Sequence, residues 1–250
     1  MERWKGFKEA KIWKKVIEND YIVSFYIKIV DDKGKLPDYL PGQFIAIKVP
    51  LEDGSYSKAR QYTLSTISNG EYYRISVKRE EEGEVSKLLY DDVEEGANVS
   101  ITAPSGRFVL NDSDLPVVLI GAGIGITPML TMAIGAAQSQ RDCHLIYSLP
   151  NSDYMAFEEE IRELVSDNQN IKSTIVYTRP LERDTMGKDY DQAGRLNKEW
   201  LEGNIKKESE VYFCGPVSFM RAMYQNLRQI GIEEEKIHFE MFHPGVDIRK

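Results

Sequence analysis

Alternation of apolar and polar positions dominates the first 110 residues, and a different rhythm takes over after Pro116. "YIVSFYIKIV" (21–30) alternates, "DDKGK" (31–35) turns, "QFIAIKVP" (43–50) forms a second run, and "DGS" turns again. "YYRISVKRE" (72–80) and "NVSITAP" (98–104) add two more. Period-two runs separated by turn residues predict strands, and several at this spacing predict an antiparallel barrel or sandwich. One helix interrupts them, "EVSKLLYDD" (84–92), opening just after Gly83.

From Pro116 onward, continuous apolar runs alternate with helix-length amphipathic ones. The predicted order is strand 117–123, helix 127–140, strand 143–149, helix 156–167 and strand 171–178. A loop through Gly194, a short helix around Trp200, strand 211–215, helix 216–231 and a last strand 236–242 follow. Strands alternating with helices imply right-handed crossovers and a parallel sheet. The change of pattern falls in "NDSDLP", which divides the chain into domains of residues 1–112 and 113–250.

Composition narrows the class of function. Apolar residues at 42% and charged residues at 29% describe a globular chain, and glycines and Pro128 interrupt its most apolar run well short of a membrane span. Met1 to Lys15 is charged throughout, so no secretory signal is expected there. Two cysteines, Cys143 and Cys214, are too few for a disulfide framework or an iron–sulfur cluster, and the expected compartment is the reducing cytoplasm. A net charge of −8 disfavours nucleic-acid binding. Against that trend, Arg3, Lys5, Lys8, Lys11, Lys14 and Lys15 make the start of the chain basic. None of His144, His238 and His243 falls in a metal-ligand cluster, so no metal is expected.

Four clusters carry candidate chemistry. Gly121, Gly123 and Gly125 stand where the first parallel strand meets its helix, and Thr127 and Pro128 open that helix. Unpaired backbone N–H groups and the helix dipole make such a turn anion-seeking, and glycines are expected to let the anion come close. Ile126 replaces the third glycine of the dinucleotide fingerprint, and the second strand ends "IYSLPNS" without a ribose-binding acid, which argues against a standard Rossmann dehydrogenase. In the barrel half, "ARQYTLS" (59–65) places Arg60 and Tyr62 on one strand face and Thr63 on the other or at a kink. A guanidinium for a pyrophosphate, an aromatic plane and a hydroxyl are the parts of a flavin nucleotide site, and "GEVS" (83–86) is a second glycine-to-helix start. The third cluster is "VYFCGPVSFM" (211–220), with Cys214 at the C-terminal edge of a strand; the last is "HFEMF", with Glu240 and Phe242.

"RQYTLS", "SVKRE", "GEVSKLL", "GAGIGITPML", "YFCGPVSFM" and "IHFEMF", in this order, resemble the ferredoxin–NADP reductase superfamily, and most of all the reductase half of flavohaemoglobins. The resemblance runs from Trp4 to about Pro244, and "WKGFKEAKI" is similar to the segment that follows the globin there. It implies an FAD-binding antiparallel β-barrel followed by an α/β parallel-sheet NAD(P)-binding domain. Arg60, Tyr62 and Thr63 are then expected to hold FAD, Tyr62 against the isoalloxazine and Thr63 near N5, although serine is commoner at that position. Val77 and Lys78 would offer backbone partners to the pyrimidine edge, and Gly83, Val85 and Ser86 would meet the flavin pyrophosphate. Phe242 would cover the opposite flavin face. The turn of Gly121, Gly123 and Gly125 with Thr127 and Pro128 would hold the pyrophosphate of NAD(P)H, and Thr127 with Cys214, Gly215 and Pro216 would line the nicotinamide position. Thr63, Cys214, Glu240 and Phe242 are the residues expected at the reacting centre. Thr178 and Arg179 stand where NADPH-using relatives carry a hydroxyl and an arginine for the 2′-phosphate, with Arg183 close by. The implied activity is hydride transfer from NAD(P)H to FAD, then single electrons to a separate acceptor protein: a haem protein, ferredoxin or flavodoxin. The alternatives are the reductase component of a nitric oxide dioxygenase system and a non-catalytic flavin- or nucleotide-sensing subunit.

Overall fold

A computed structural model describes residues 3–30, 35–242, 245 and 247–249; most of the "DDKGK" turn and His243 lie outside the described residues. The chain divides into two compact units, Met1–Val109 and Leu110–Lys250.

The first unit is one antiparallel sheet of six strands with one helix. β1 (Phe7–Asn19), β2 (Ile22–Ile29), β3 (Phe44–Lys48), β4 (Arg60–Thr63), β5 (Tyr73–Lys78) and β6 (Asn98–Thr102) take the order β4-β3-β6-β1-β2-β5, and α1 (Glu84–Asp92) follows β5. Just past β4, Leu64 bridges to Ile75 and the Ser65 N–H donates to the Arg74 carbonyl at 2.8 Å. Those bonds bring the two sheet edges together, the barrel solution to unpaired edge strands. Ile12, Phe25, Ile27, Ile45, Ile47, Ile75 and Ile101 fill the interior and are fully buried.

Two features depart from simple alternation. The β1–β2 register shifts between Ile12 and Lys14, so Trp13 is bulged outward and half exposed. On β2, Ser24 is buried where the pattern places a solvent position. It belongs to a buried hydroxyl chain, Ser24 Oγ to Ser76 Oγ at 2.7 Å and Ser76 Oγ to Ser65 Oγ at 2.7 Å. Arg74, also buried, donates from Nε to Ser65 Oγ at 3.1 Å and from Nη2 to the Ser65 carbonyl. Burying a guanidinium requires such partners.

The second unit is a parallel sheet. β7 (Val117–Ala122), α2 (Ile126–Gln138), β8 (Cys143–Leu149), α3 (Glu158–Asp167), β9 (Ile171–Tyr177), β10 (Gln192–Ala193), α4 (Lys198–Asn204), β11 (Glu210–Cys214), α5 (Val217–Gln229) and β12 (Ile237–Phe239) give the order β10-β9-β8-β7-β11-β12. The short β10 lies inside the expected loop. α3 begins later than the pattern predicts because Phe157 takes a left-handed conformation, φ 61°; the last strand is only Ile237–Phe239, a single turn at Glu234–Lys236 taking its expected first residue and the pairing ending before Glu240. β7 and β8 are buried along their whole length, as strands covered on both faces must be.

Candidate cofactor site

The strand order reverses at β7: the chain works outward through β8, β9 and β10, then returns to the other side with β11 and β12. A ligand crevice therefore opens at the C-terminal ends of β7 and β11, where Gly121 and Cys214 sit in register. Here the glycines do something the sequence did not disclose. A Cβ on Gly125 would lie 2.2 Å from the Cys214 carbonyl oxygen, one on Gly121 would lie 2.8 Å from the Ile126 Cα, and one on Gly215 would lie 2.7 Å from the Ala122 Cβ. Gly125 thus lets the two strand-to-helix turns pack backbone against backbone, Gly215 admits the Ala122 side chain from the first turn, and Gly121 relieves a close contact inside its own turn. Gly123 is different, with φ +54° and nothing within 4 Å of a Cβ, so its turn faces open space.

The rest of the turn is braced from within. Thr127 is buried and its hydroxyl donates to the Ile124 carbonyl at 3.0 Å, while Pro128 fits the first turn of α2, where a missing N–H costs nothing. Cys214 is fully buried; burial, and then the nearby Glu240 carboxylate, push its thiol well above the ordinary range. Glu240 is itself half-buried, which lifts its carboxyl to about 7. Pro216 is exposed at the start of α5, and Phe242 is 39% exposed near the chain end.

At the end of β9, Thr178 donates to the Leu149 carbonyl at 3.4 Å, and the Arg179 side chain is exposed with no carboxylate partner among the described residues. Arg183, which the sequence places nearby, is ion-paired with Asp153.

In the barrel unit, β4 pairs with β3 so that Arg60 faces Ile47 and Tyr62 faces Ile45. Arg60 is exposed, its Nη1 donating only to the neighbouring Ala59 carbonyl at 3.0 Å. Tyr62 packs against the barrel core, and burial raises its phenol to about 12 against the pull of Arg60, so it stays neutral. Thr63 points the other way and is buried. Val77 is buried and Lys78 pairs with Glu80 at 2.8 Å. Gly83 caps α1, where a Cβ would meet Ser86 Oγ at 2.1 Å; that hydroxyl accepts from the Glu80 N–H at 3.3 Å, and Val85 is buried. The Ser24, Ser65, Ser76 and Arg74 network behind β4 is the part of this region that sequence reasoning missed. Serines and an arginine inside period-two runs read as solvent positions.

An unpaired guanidinium on one unit and an open, anion-seeking glycine turn on the other fit the phosphates of two nucleotides. Among the described residues no group of three or more His, Cys, Asp or Glu side chains could hold a metal, and no helix is long and apolar enough to cross a membrane.

Comparison with known proteins agrees with this chemistry. Residues 10–110 match the oxidoreductase FAD-binding domain and residues 119–225 the oxidoreductase NAD-binding domain. The flavohemoprotein of Bacillus cereus is 40% identical over 255 residues, covering 98% of this chain. The flavohem-like FAD/NAD binding domain of nitric oxide dioxygenase from Vibrio cholerae superposes with a TM-score of 0.84 at 33% identity, covering 95% of this chain and 99% of that one. This chain belongs to the flavohemoprotein-type family of FAD/NAD-binding oxidoreductases. Flavohemoglobin from Malassezia yamatoensis, with bound FAD and heme, gives a TM-score of 0.82 at 27% identity and covers 95% of this chain but only 60% of its own. The family reductase described here spans 63% of the length of the Bacillus cereus relative. It is an FAD-dependent NAD(P)H oxidoreductase built as an antiparallel FAD-binding barrel and a parallel-sheet NAD-binding unit.

Proposed function

We propose that this reductase passes electrons from NAD(P)H through FAD to a separate acceptor protein, one electron at a time. FAD, when bound, supplies the chemistry that converts a two-electron donor into single electrons. The chain's own residues bind, orient and keep the reacting edge dry. Arg60 forks the FAD pyrophosphate, and the neutral Tyr62 presents its ring to the isoalloxazine, while Thr63 carries a hydroxyl at the end of the same strand. The open turn at Gly123 takes the nucleotide pyrophosphate. Buried Cys214 and half-buried Glu240 make the nicotinamide end of the crevice poorly solvated, and Glu240 holds a proton at its carboxyl over part of the neutral pH range. Phe242 offers an exposed aromatic face to a planar ring.

The observation that carries this reading is the junction of Gly125 with the Cys214 carbonyl, which sets one open glycine turn and one thiol-bearing strand end at the same switch point. The relatives' names, flavohemoprotein and nitric oxide dioxygenase, favour a haem globin as acceptor, and so a nitric oxide detoxifying system, over a ferredoxin or flavodoxin. The test is anaerobic mixing of FAD-loaded protein with NADH or NADPH, followed by oxidation with each class of acceptor. Stoichiometric bleaching of the flavin and rapid reoxidation by a haem globin are expected. Flavin that binds but is not reduced by either nucleotide would make the protein a sensor and end this proposal.

A further inference from the structure

Three aromatic side chains stand on the outer face of the barrel sheet, where alternation calls for polar ones. On β2, Tyr26 and Lys28 point away from the core that Phe25 and Ile27 fill, and Tyr26 sits opposite Arg74 of β5. Tyr72 precedes β5 by one residue and shares that face. Trp13 joins them because the β1–β2 register shift between Ile12 and Lys14 inserts it as an extra residue, which re-aims its side chain. The rings interlock: their centres lie 6.4 Å apart for Trp13 and Tyr26, 5.8 Å for Trp13 and Tyr72, and 5.0 Å for Tyr26 and Tyr72. Tyr26 also covers the buried Arg74, so part of the cluster serves the barrel itself. Trp13, however, is 50% exposed, and Val30 at the end of β2 is 49% exposed.

Lysines complete the face. The Lys28 ammonium lies 3.7 Å from the Trp13 ring centre, that of Lys14 lies 5.2 Å from the Tyr26 ring centre, and Lys11 is the register partner of Lys28. Among the described residues no carboxylate pairs with any of these three lysines, and Glu71, next to Tyr72, is the only acid adjacent along the chain to a member of the cluster. A positive, aromatic face thus stands on a chain whose net charge is −8. Its geometry selects among occupants. Lys28 covers a face of Trp13 and Lys14 a face of Tyr26, the surfaces on which a nucleobase would stack. Rings packed on one another cannot enter a bilayer as separate anchors. A second copy meeting this face about a two-fold axis would set like charges against each other. Carboxylates of another protein suit ammonium groups held over an aromatic floor, and Trp and Tyr are the side chains that anchor protein interfaces.

We infer that this face of β1, β2 and β5 docks a partner protein through an acidic patch, with carboxylates on Lys11, Lys14 and Lys28 and an apolar side chain against Trp13 and Val30. The inference does not depend on which protein accepts the electrons.

A fluorescein-labelled random copolymer of glutamate and tyrosine serves as probe, titrated into the FAD-loaded protein and followed by fluorescence anisotropy, with ¹⁵N amide shifts to map where it binds. Saturable binding that moves the amides of Trp13, Tyr26 and Lys28 is expected. Trp13→Ala and Lys28→Gln should each weaken it about fivefold or more, the loss typical of an interface anchor, and the second keeps the aromatic rings should the first disturb the strand. Lys48→Gln, which removes the same lysine-over-ring contact at Phe7, should leave the affinity unchanged. NADH–ferricyanide turnover should be unaltered in all three. The inference is overturned by an absence of saturable binding, by affinity that survives Lys28→Gln, by an oligothymidylate or phosphatidylserine-containing vesicles binding this face more tightly than the copolymer, or by a dimer of the chain that Trp13→Ala abolishes.

Discussion

Side chains at the two nucleotide half-sites differ in how much of their bonding capacity the protein already uses. Arg60 spends only one hydrogen bond on its own backbone. Arg60→Ala should therefore leave the fold intact and weaken FAD binding by about 1.5–3 kcal/mol, the range for hydrogen bonds to charged groups, as measured by flavin fluorescence titration. Full flavin occupancy at unchanged affinity would remove Arg60 from the site. Arg183 is held by Asp153, while Arg179 is exposed and is the cation we propose for a 2′-phosphate. Arg179→Ala should lower kcat/KM for NADPH relative to NADH, and an unchanged ratio of the two efficiencies would exclude that role. Glu240 gives a pH signature. Its folded-state carboxyl sits near 7 against an ordinary 4.5, so the stability it contributes is complete below about pH 4.5 and is lost as pH rises through about 7. The loss approaches about 3 kcal/mol. Glu240→Gln should be more stable than the parent protein at alkaline pH, with the gap closing as pH falls; a pH-independent difference in Tm would show the carboxyl to be ordinary. His144 acts in the opposite sense, its contribution present above 6.5 and lost as pH falls toward about 4.

Elements position these groups through close backbone contact more than through side-chain packing. The turn from β7 into α2 abuts the end of β11 so tightly that a methyl group at Gly125 would overlap a carbonyl. Gly125→Ala is expected to lower thermal stability by about 1–3 kcal/mol or more, as overpacking against immobile backbone does, and to weaken nucleotide binding by spreading the two turns. Gly123→Ala meets no neighbour and pays only the left-handed backbone cost, about 1–2 kcal/mol. Comparing the two by differential scanning calorimetry checks the argument, and a Gly125→Ala protein no less stable than Gly123→Ala would refute it. In the barrel, the Arg74–Ser65 bonds tie the end of β4 to β5, which holds Tyr62 and Thr63 on a closed sheet in place of a free edge.

Across the whole molecule, charge is unevenly spread. The chain carries a net −8, yet β1 is basic. Not all of that charge is available to a partner: Arg3 donates to Gln43 and to the Asp38 carbonyl, and Lys15 is paired with Glu94 at 2.7 Å. The ammonium groups of Lys8 and Lys14 lie over the rings of Trp4 and Tyr26 at 5.5 and 5.2 Å. An acceptor with an acidic face should therefore be reduced more slowly as salt rises, because surface charges chiefly speed encounter and are screened beyond about 8 Å at physiological ionic strength. Ferricyanide reduction should respond less. If neutralising Lys8, Lys11 and Lys14 together leaves both the rate with the partner protein and its salt dependence unaltered, β1 is not the docking strand.

Local patterning determined most of the architecture. Period-two runs and apolar runs alternating with amphipathic helices specify an antiparallel unit followed by a parallel one, because side-chain periodicity is a property of the backbone itself. "GAGIGITP" by its residue types reads as an anion-seeking turn, whereas "RQYTLS" reads as a flavin-type strand only in the company of the other motifs. Tertiary structure decided what depends on contacts between distant segments. The strand order, and hence the switch point, follows from which strands pair, and Gly121 and Cys214 are far apart in sequence. The division of labour among the glycines, Gly125 and Gly215 at the junction of the two turns, Gly121 within its own turn and Gly123 facing outward, appears only in the folded contacts. Arg74 and Ser24 are interior for the same reason: closing the barrel turns strand positions inward that a single open sheet would leave in water.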